Sequence, residues 1–522
     1  MELIKKNIHM MVNDRKEMTQ ITLDDDMNVP DNRPDMINLI QQKGDIVLEE
    51  VKANENQAWI KGNLNFLVMY ISDNEERRIQ SIEGKIPFEE YVHMEGLKAG
   101  EQIRAEGELE DLRIGIINSR KMSIQAVVTL QVTTEEMLEE EISVDIADKN
   151  GMEFWKNPME IMELRINKKD MLRIKEEIAL SNGKNNIHEI VWKDTSLNIK
   201  EIKLLQGKIN VCGALNLFVL YRGEGDENKL DWINEEVAFT KELECSGCSE
   251  GMVPEIRSRL RSCDMEMKAD YDGEERIIAL DAVLDMDVKI YEEELVELVE
   301  DVYSTAMEVE PQTNALRFQR LVGNNMSKCR ISERMRIKGE EPRILQICNG
   351  SGKARIDMVE TGANGVVIEG TLEVMVLYVG ADDNIPFYGK MIQIPFNQQI
   401  DMNDLKKSTV YSVEVGTLQI NTTMIDSEEI EIKAVIDMSV MAVEEFEKDV
   451  IYEISQAPLD YERLENIAGI VVYVVGENDS LWSIGKKYLL GVEEIKELNH
   501  LESNVLKKGD RLILCKNIST PA

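Results

Sequence analysis

The sequence is short of basic residues relative to its acidic ones. Its 522 residues contain 60 Lys and Arg against 99 Asp and Glu, which gives a net charge of −39 at pH 7, while the apolar content of 43% is near the norm for folded proteins. An acidic surface of this kind repels phosphate backbones and anionic lipid headgroups. The composition therefore disfavours nucleic-acid or membrane-surface binding by the whole chain and favours protein partners.

Long apolar runs and regularly spaced cysteines are also missing. The longest apolar runs, such as residues 469–475, are far shorter than the roughly 20 residues that span a bilayer. The N-terminal segment is interrupted by polar residues before it reaches the apolar length of a signal peptide. Seven cysteines without framework spacing are typical of a reducing compartment. We therefore expect a soluble cytosolic protein without a secretion signal.

A pattern of glycine, tyrosine and phenylalanine recurs three times along the chain. In each copy a Tyr follows the Gly by eight residues, and a Phe follows the Tyr by eighteen. The three sets are Gly62, Tyr70 and Phe88; Gly213, Tyr221 and Phe239; and Gly370, Tyr378 and Phe396. The glycines are separated by 151 and 157 residues, and a unit of that size can bury its own core. Each copy is therefore predicted to be a domain.

Apolar and polar residues alternate within each copy, in runs rich in Val, Ile and Tyr such as residues 64–70. This period of two predicts antiparallel β-sheets. A glycine fixed inside a strand pattern marks a β-bulge or a close approach of backbone. The charged segments 135–141, 292–301 and 444–449 between the copies are interpreted as solvated linkers, with an acidic docking face as the alternative.

The sequence shows no residue set that indicates catalysis or metal binding. Cys245 and Cys248 form a CxxC pair, but zinc needs two further ligands and Cys263 is the one other nearby candidate, so we interpret them as free thiols. Residues 350–353 resemble part of a phosphate-binding loop, but its first Gly and its final Ser or Thr are missing. We predict a protein that is not an enzyme and that uses no cofactor or metal.

The C-terminal segment has a different pattern. Residues 471–515 predict a strand, two short helices and a closing strand. Asp479 or Ser480 can cap the first helix with a side-chain oxygen. Residues 471–516 contain seven acidic and seven basic side chains, so the net charge of the chain lies upstream. The two parts of the chain are expected to meet different surfaces.

The order of residues in this segment resembles the LysM domain. The matching positions are Tyr473, Val475, Asp479, Ser480, Leu481, Trp482, Ile484, Asn499, Gly509, Leu512 and Leu514. The resemblance implies a βααβ fold. The sequence departs from the family pattern at Asn478, Ser480, His500 and Cys515. Because these positions lie on or beside the loops with which LysM domains usually hold N-acetylglucosamine polymers, the departures disfavour glycan binding.

Trp482 lies beside the apolar stripe of the first predicted helix. With Lys486 and Leu489 it forms a second, partly apolar helix face. Exposed aromatic side chains are favoured anchors of protein interfaces; the alternative is that Trp482 merely shields the small core. The predicted partner-binding residues are Asn478, Asp479, Ser480, Trp482, Lys486, Leu489 and Asn499.

Three β-rich repeats followed by one LysM domain resemble the SipL-type spore-coat morphogenetic proteins of clostridia, and the resemblance covers nearly the whole chain. It implies a non-enzymatic adaptor in the mother-cell cytoplasm, at the forespore surface, that takes part in spore coat assembly. The implied partner of the LysM domain is stage IV sporulation protein A, the ATPase of the coat basement layer, with other coat proteins as further partners. The alternative function is binding of peptidoglycan or N-acetylglucosamine polymers.

The sequence thus predicts a multidomain, mainly β protein. The expected units are three antiparallel β-rich repeat domains, a linker and the LysM domain, at residues 1–145, 160–300, 315–455, 456–470 and 471–515.

Overall fold

The computed structural model describes residues 2–12, 14–74, 78–225, 229–337, 339, 341–382, 385–459 and 469–515. Most of the linker predicted at 456–470 therefore lies outside the described residues. The elements of the N-terminal and first repeat regions are β1 (Leu3–Val12), β2 (Lys16–Asn28), β3 (Met36–Asn54), β4 (Gln57–Ser72), β5 (Ile79–His93), β6 (Ile103–Asn118), β7 (Lys121–Thr134) and β8 (Glu136–Ile146).

The second repeat follows with β9 (Met152–Ala179), β10 (Ile187–Leu205), β11 (Lys208–Gly223), β12 (Leu230–Glu244), β13 (Val253–Ala269) and β14 (Glu275–Ser304). The third contains β15 (Met307–Arg336), β16 (Ile344–Gly362), β17 (Gly365–Asp382), β18 (Ile385–Asp401), β19 (Thr409–Asp426) and β20 (Glu429–Pro458). The C-terminal elements are β21 (Ile470–Val474), α1 (Leu481–Tyr488), α2 (Val492–Leu498) and β22 (Arg511–Cys515).

Each repeat is a sandwich of two three-stranded antiparallel sheets. The strand orders are β3-β4-β5 and β2-β7-β6 in the first repeat, β10-β11-β12 and β13-β14-β9 in the second, and β16-β17-β18 and β15-β20-β19 in the third. Alternate residues of β4, including Leu64, Phe66 and Val68, are buried between the two sheets, as a period of two requires. The predicted mainly β class with three antiparallel repeat domains is confirmed.

The recurring glycine and phenylalanine are partners on neighbouring strands. Gly213 lies opposite Phe239, and an added Cβ would lie 2.7 Å from both Phe239 Cζ and the Asn198 carbonyl oxygen. Strand β10 slips register opposite the same glycine, so this position combines a bulge with a close approach. The corresponding Gly and Phe of the other two repeats are paired in the same way. The constant spacing therefore records a packing requirement.

The three sandwiches close into a ring. Hydrogen bonds join each repeat to the next: Arg259 Nη2 donates to the Ile46 carbonyl at 2.8 Å, the Leu418 amide to Asn198 Oδ1 at 3.2 Å, and Arg355 Nη1 to Glu110 Oε2 at 2.7 Å. We call the sheets β3-β4-β5, β10-β11-β12 and β16-β17-β18 the outer sheets. In each case the first strand of one outer sheet (β3, β10 or β16) contacts the edge strand β13, β19 or β6 of the next repeat. Because the third repeat contacts the first, the ring is closed and has pseudo-threefold symmetry.

Two polar clusters lie at the axis of this ring. Lys43, Asp194 and Ser351 meet in one cluster, and Glu106, Arg257 and Glu414 meet in the other. Within each cluster the residues are separated by 151 and 157 residues, the spacing of the repeated glycines, so they occupy equivalent positions. A cavity of about 3100 Å³ at the centre of the ring is lined by both clusters.

An apolar cluster joins the outer sheets at one end of the ring. Its buried members are Ile40, Met69, Ile71, Ile79, Val191, Trp192, Phe218, Leu220, Cys348, Leu377 and Phe387. The buried guanidinium of Arg222 donates to the Ile79 carbonyl across the same junction, at 2.6 Å. This cluster holds the repeats together by removing apolar surface of all three from water.

A second apolar core joins the repeats at the other end. Here three antiparallel two-stranded ribbons leave the sandwiches and pack together; we call them the stalk. The ribbons are β1 with β8, residues 152–164 of β9 with 291–304 of β14, and residues 307–321 of β15 with 443–458 of β20. The buried stalk residues include Ile8, Met10, Ile142, Ile161, Val296, Leu298, Phe318 and Val450.

The stalk overturns the interpretation of the charged segments as solvated linkers. Residues 135–141, 292–301 and 444–449 lie almost wholly within β8, β14 and β20. Their acidic side chains alternate with apolar ones such as Val296 and Leu298, which face the core of the stalk. One face of each ribbon is solvated and carries the acidic residues. The segments are therefore strands, although their composition resembles that of a linker.

We predict that Gly213→Ala destabilises the second repeat by about 1–3 kcal/mol. The new Cβ has no room unless Phe239 or the backbone of β10 moves. Urea unfolding followed by circular dichroism measures the loss. Gly183→Ala is the matched control, since this turn glycine of the same repeat has no atom within 4 Å of an added Cβ. Equal losses in the two variants would contradict the packing explanation.

We predict that Arg257→Gln lowers the free energy of unfolding by about 2–3 kcal/mol near pH 8. This loss is smaller than that expected for a fully buried ion pair, because a quarter of the Arg257 side chain is exposed. The change leaves Glu106, Glu255 and Glu414 facing one another. Burial already raises the pKa of Glu414, although Arg257 opposes the rise. A carboxyl group with a raised pKa stabilises the fold at low pH, and this stabilisation is lost as the pH rises through that pKa. The difference in stability between the variant and the wild type should therefore shrink near pH 5.

Thermal unfolding of both proteins at pH 8 and pH 5 tests this expectation. Arg261→Gln is the control, because Arg261 lies on the same strand and pairs with Asp285 at 2.9 Å on the exposed surface. Its loss should stay below about 1 kcal/mol. A deficit of Arg257→Gln that does not change with pH would refute the role assigned to the carboxylates.

Candidate functional site

The C-terminal residues form a small domain with its own core. Strands β21 and β22 pair antiparallel, and α1 and α2 pack against one face of this sheet. The buried members of its core are Val475, Leu481, Ile484, Leu490, Ile495, Leu512 and Leu514. The predicted βααβ order is confirmed, and Trp482 does not belong to this core.

Ser480, rather than Asp479, caps the first helix. Ser480 Oγ accepts a hydrogen bond from the Ser483 amide at 3.0 Å, and Ser483 Oγ accepts one from the Ser480 amide at 2.9 Å. This reciprocal pair is a capping box that satisfies two free backbone donors. Its effect is to set the start of α1, and thereby the direction in which Trp482 projects.

Asp479 ties the preceding loop to the sheet. Its Oδ2 accepts hydrogen bonds from the Tyr473 hydroxyl and from the Gly476 amide, both at 2.7 Å. The Tyr473 hydrogen bond, followed by the Gly476 amide, lowers the pKa of Asp479. Neighbouring Asn478 is exposed and has a left-handed backbone with φ of 69°. The Asp479 carboxylate therefore stabilises the conformation of this loop.

Asn499 ties the second helix to the closing strand. Its Nδ2 donates to the carbonyls of Ile495 and Ile513, each at 2.8 Å, and its Oδ1 accepts from the Ile513 amide at 2.6 Å. Leu489, at the end of α1, adopts a left-handed conformation with φ of 56° and closes that helix. Both residues thus have clear roles in the fold of the small domain.

Trp482 and Lys486 project from α1 onto the stalk. Trp482 Nε1 donates to Asp301 Oδ2 at 2.9 Å, and Lys486 Nζ pairs with Asp301 Oδ1 at 2.6 Å. The Trp482 ring meets Tyr303 and Trp155 edge to face, with centroids 4.8 and 5.8 Å apart. Geometries of this kind add attraction beyond the area that they bury. Trp482 and Lys486 thus share one face of α1, and residues of the second repeat cover it.

The stalk residues of this contact form two neighbouring cross-strand pairs. Trp155 lies opposite Asp301, and Glu153 lies opposite Tyr303, so all four side chains project from the same face of the β9–β14 ribbon. We call these four residues the ribbon dock. Strand β14 slips register between Val299 and Asp301, and a bulge of this type redirects the following side chain.

The backbone after α1 completes the contact. The Tyr303 hydroxyl donates to the Leu490 carbonyl at 2.8 Å, and Glu153 accepts a hydrogen bond from the Val492 amide. Burial raises the pKa of Glu153. A Cβ at Gly485 would lie 2.5 Å from the Tyr303 hydroxyl oxygen, so glycine is required there for the close approach.

The seven predicted site residues therefore fall into groups with different contacts. Trp482 and Lys486 meet the ribbon dock, whereas Asp479, Ser480 and Asn499 serve the fold of the small domain. Asn478 and Leu489 lie at turns with left-handed backbone. Sequence reasoning missed the ribbon dock, because Asp301 lies 181 residues from Trp482 and falls in a segment interpreted as a linker.

A second apolar surface of the small domain is open to solvent. The outer face of the β21–β22 sheet carries Ile470, Val472, Val474 and Ile513, which are between 46% and 69% exposed. The two helices cover the opposite face of this sheet. The small domain thus has one covered face and one open apolar face.

The CxxC pair and the segment that resembles part of a phosphate-binding loop both lie in the repeats. Cys245 and Cys248 are buried free thiols in the core of the second repeat, and burial raises the pKa of Cys248. Residues 350–353 lie within β16 and form no loop. Across the described ranges, no group of three or more His, Cys, Asp and Glu side chains is placed to hold a metal ion. Neither helix seen in the described part of the chain has the length and apolarity needed to cross a membrane.

Comparison with protein families assigns both parts of the chain. The model of the SipL SPOCS domain matches residues 35–117, 186–268 and 343–425, and the model of the LysM domain matches residues 473–514. Each SPOCS match covers one outer sheet and most of the following strand, so the structure adds the two strands that complete the sandwich. No curated protein and no solved structure matches the chain.

SPOCS and LysM domains are non-catalytic binding domains, and the LysM domain is a module that binds glycans or proteins. Three SPOCS repeats followed by a C-terminal LysM domain make this chain a SipL-type protein.

We predict that Asn499→Ala destabilises the LysM domain by about 1–3 kcal/mol, since it leaves the amide and carbonyl of Ile513 without their partner. Hydrogen exchange of residues 508–515 in the full chain, followed by mass spectrometry, should become faster, while exchange in the three repeats stays unchanged. Unaltered exchange of β22 would argue against this structural role.

Proposed function

We propose that this protein is a non-enzymatic adaptor in spore coat assembly. It acts in the mother-cell cytoplasm at the forespore surface and tethers the coat through binding of its LysM domain to stage IV sporulation protein A. The combination of SPOCS repeats with a LysM domain supports a sporulation-related adaptor.

The observation that carries the proposal is the chemistry of the Trp482 face. In this structure the face already contacts a protein surface, where an indole N–H and an ammonium group share one carboxylate beside two aromatic rings. Trp is among the most frequent anchors of protein interfaces. A face that recognises an aromatic-flanked carboxylate within the chain is suited to recognise one on another protein.

The architecture of the repeats supports the role of a scaffold. Apolar cores at both ends of the ring join all three repeats. The repeats therefore form one body and not a row of separate domains. This body carries the acidic excess of the chain, whereas the LysM region has balanced charge. Two surfaces of different charge on one molecule favour different partners, which suits an adaptor.

We predict that Trp482→Glu and Lys486→Glu weaken binding of purified stage IV sporulation protein A by at least about tenfold, as is usual for anchor residues. Biolayer interferometry with the full-length chains measures the affinities. Lys487→Glu is the matched control: it makes the same charge change on α1, but Lys487 lies over the rings of Tyr473 and Tyr488. Its affinity should stay near that of the wild type.

The same proteins distinguish the glycan alternative. Titration with N-acetylglucosamine oligomers should give no saturable signal if the LysM domain recognises a protein. Saturable glycan binding together with normal capture of the ATPase by a folded Trp482→Glu chain would overturn the proposed site and favour glycan recognition.

A further inference from the structure

The face of the LysM domain that carries Trp482 and Lys486 is covered by the ribbon dock. Both oxygens of Asp301 are used, one by the indole N–H and the other by the ammonium group. Tyr303 is 3% exposed, and its hydroxyl bonds to the Leu490 carbonyl. Each polar atom named here has a geometrically suitable partner, so the contact is a specific interface.

The interface joins two units that have separate apolar cores. The LysM domain has its own apolar core, and the ribbon dock belongs to a ribbon that the stalk core holds. Eleven residues, 459–469, connect β20 to β21, and a chain of that length can span roughly 40 Å when extended. The LysM domain can therefore leave the ribbon dock while the ring and its own fold stay intact.

We propose that the ribbon dock is an internal ligand of the LysM domain, which competes with the external partner for the Trp482 face. The inference rests on the proposed function and extends it. The protein exchanges between a closed form, in which Asp301 occupies the face, and an open form that binds the partner. The surface recognised on the partner resembles the ribbon dock: a carboxylate flanked by aromatic side chains on an exposed strand.

Competition determines how the apparent affinity for the external partner depends on the open fraction. If only the open form binds, the apparent Kd equals the intrinsic Kd divided by the open fraction. A change in the ribbon dock that leaves every LysM residue unaltered must then tighten binding. A change in Trp482 itself removes both interactions and cannot show the competition.

Asp301→Lys in the full-length chain is the decisive variant. It removes the acceptor of the Trp482 N–H and places a positive charge beside Lys486. Hydrogen exchange of α1 and of residues 152–155 should become faster, which reports opening without any partner. The affinity for stage IV sporulation protein A should rise about fivefold or more. Tyr303→Phe, which removes one hydroxyl, should shift both measurements in the same direction by a smaller amount, about twofold.

Asp285→Lys is the matched control. Asp285 lies on the same strand and pairs with Arg261 outside the ribbon dock, so neither the exchange of α1 nor the affinity should change. Faster exchange without tighter binding in Asp301→Lys, or weaker binding, would overturn the competition while leaving the proposed function in place. If neither the wild type nor the opened variants bind the ATPase, the proposed function itself fails, and the competition with it.

Discussion

Equivalent residues of three repeats meet at the axis of the ring, where identical side chains would place three like charges together. The structure avoids this conflict by differences between the repeats. Lys43, Asp194 and Ser351 supply a cation, an anion and a neutral hydroxyl at one level. Glu106, Arg257 and Glu414 place one cation between two anions at the other. Burial would raise the pKa of Asp194, but Lys43 and Ser351 outweigh it and hold that pKa below its ordinary value.

Ring closure also determines where the LysM domain can rest. Strands β9, β14, β15 and β20 run without interruption from the sandwiches into the stalk, so the orientation of the repeats sets the positions of the ribbons. The register slips between Ile290 and Tyr291 as β14 enters the stalk, and again between Val299 and Asp301 near its end. The second slip lies beside the residue that receives Trp482. The residue that receives Trp482 is thus connected to the second sandwich by one continuous strand.

Local spacing accounts for the features that could be predicted from the sequence. The β class, the three repeats and the LysM fold depend on residues within a few strands of each other, and the Gly213–Phe239 pair explains the constant offset. Ring closure and the ribbon dock depend on contacts between segments far apart in the chain. Acidic side chains on the solvated face of each ribbon also give these strands the composition of linkers. The contact of Asp301 and Tyr303 with Trp482 was therefore not predicted.

The strength of the LysM contact favours reversible docking over permanent attachment. The Lys486–Asp301 pair is partly exposed, with 44% and 30% of the two side chains accessible, and such pairs contribute at most about 1 kcal/mol. Two edge-to-face ring pairs add about 0.5–1.5 kcal/mol each, and neutral hydrogen bonds such as that of Tyr303 add about 1 kcal/mol. Each of these contributions is modest on its own, and an external surface that offers the same carboxylate and rings can replace the same contacts.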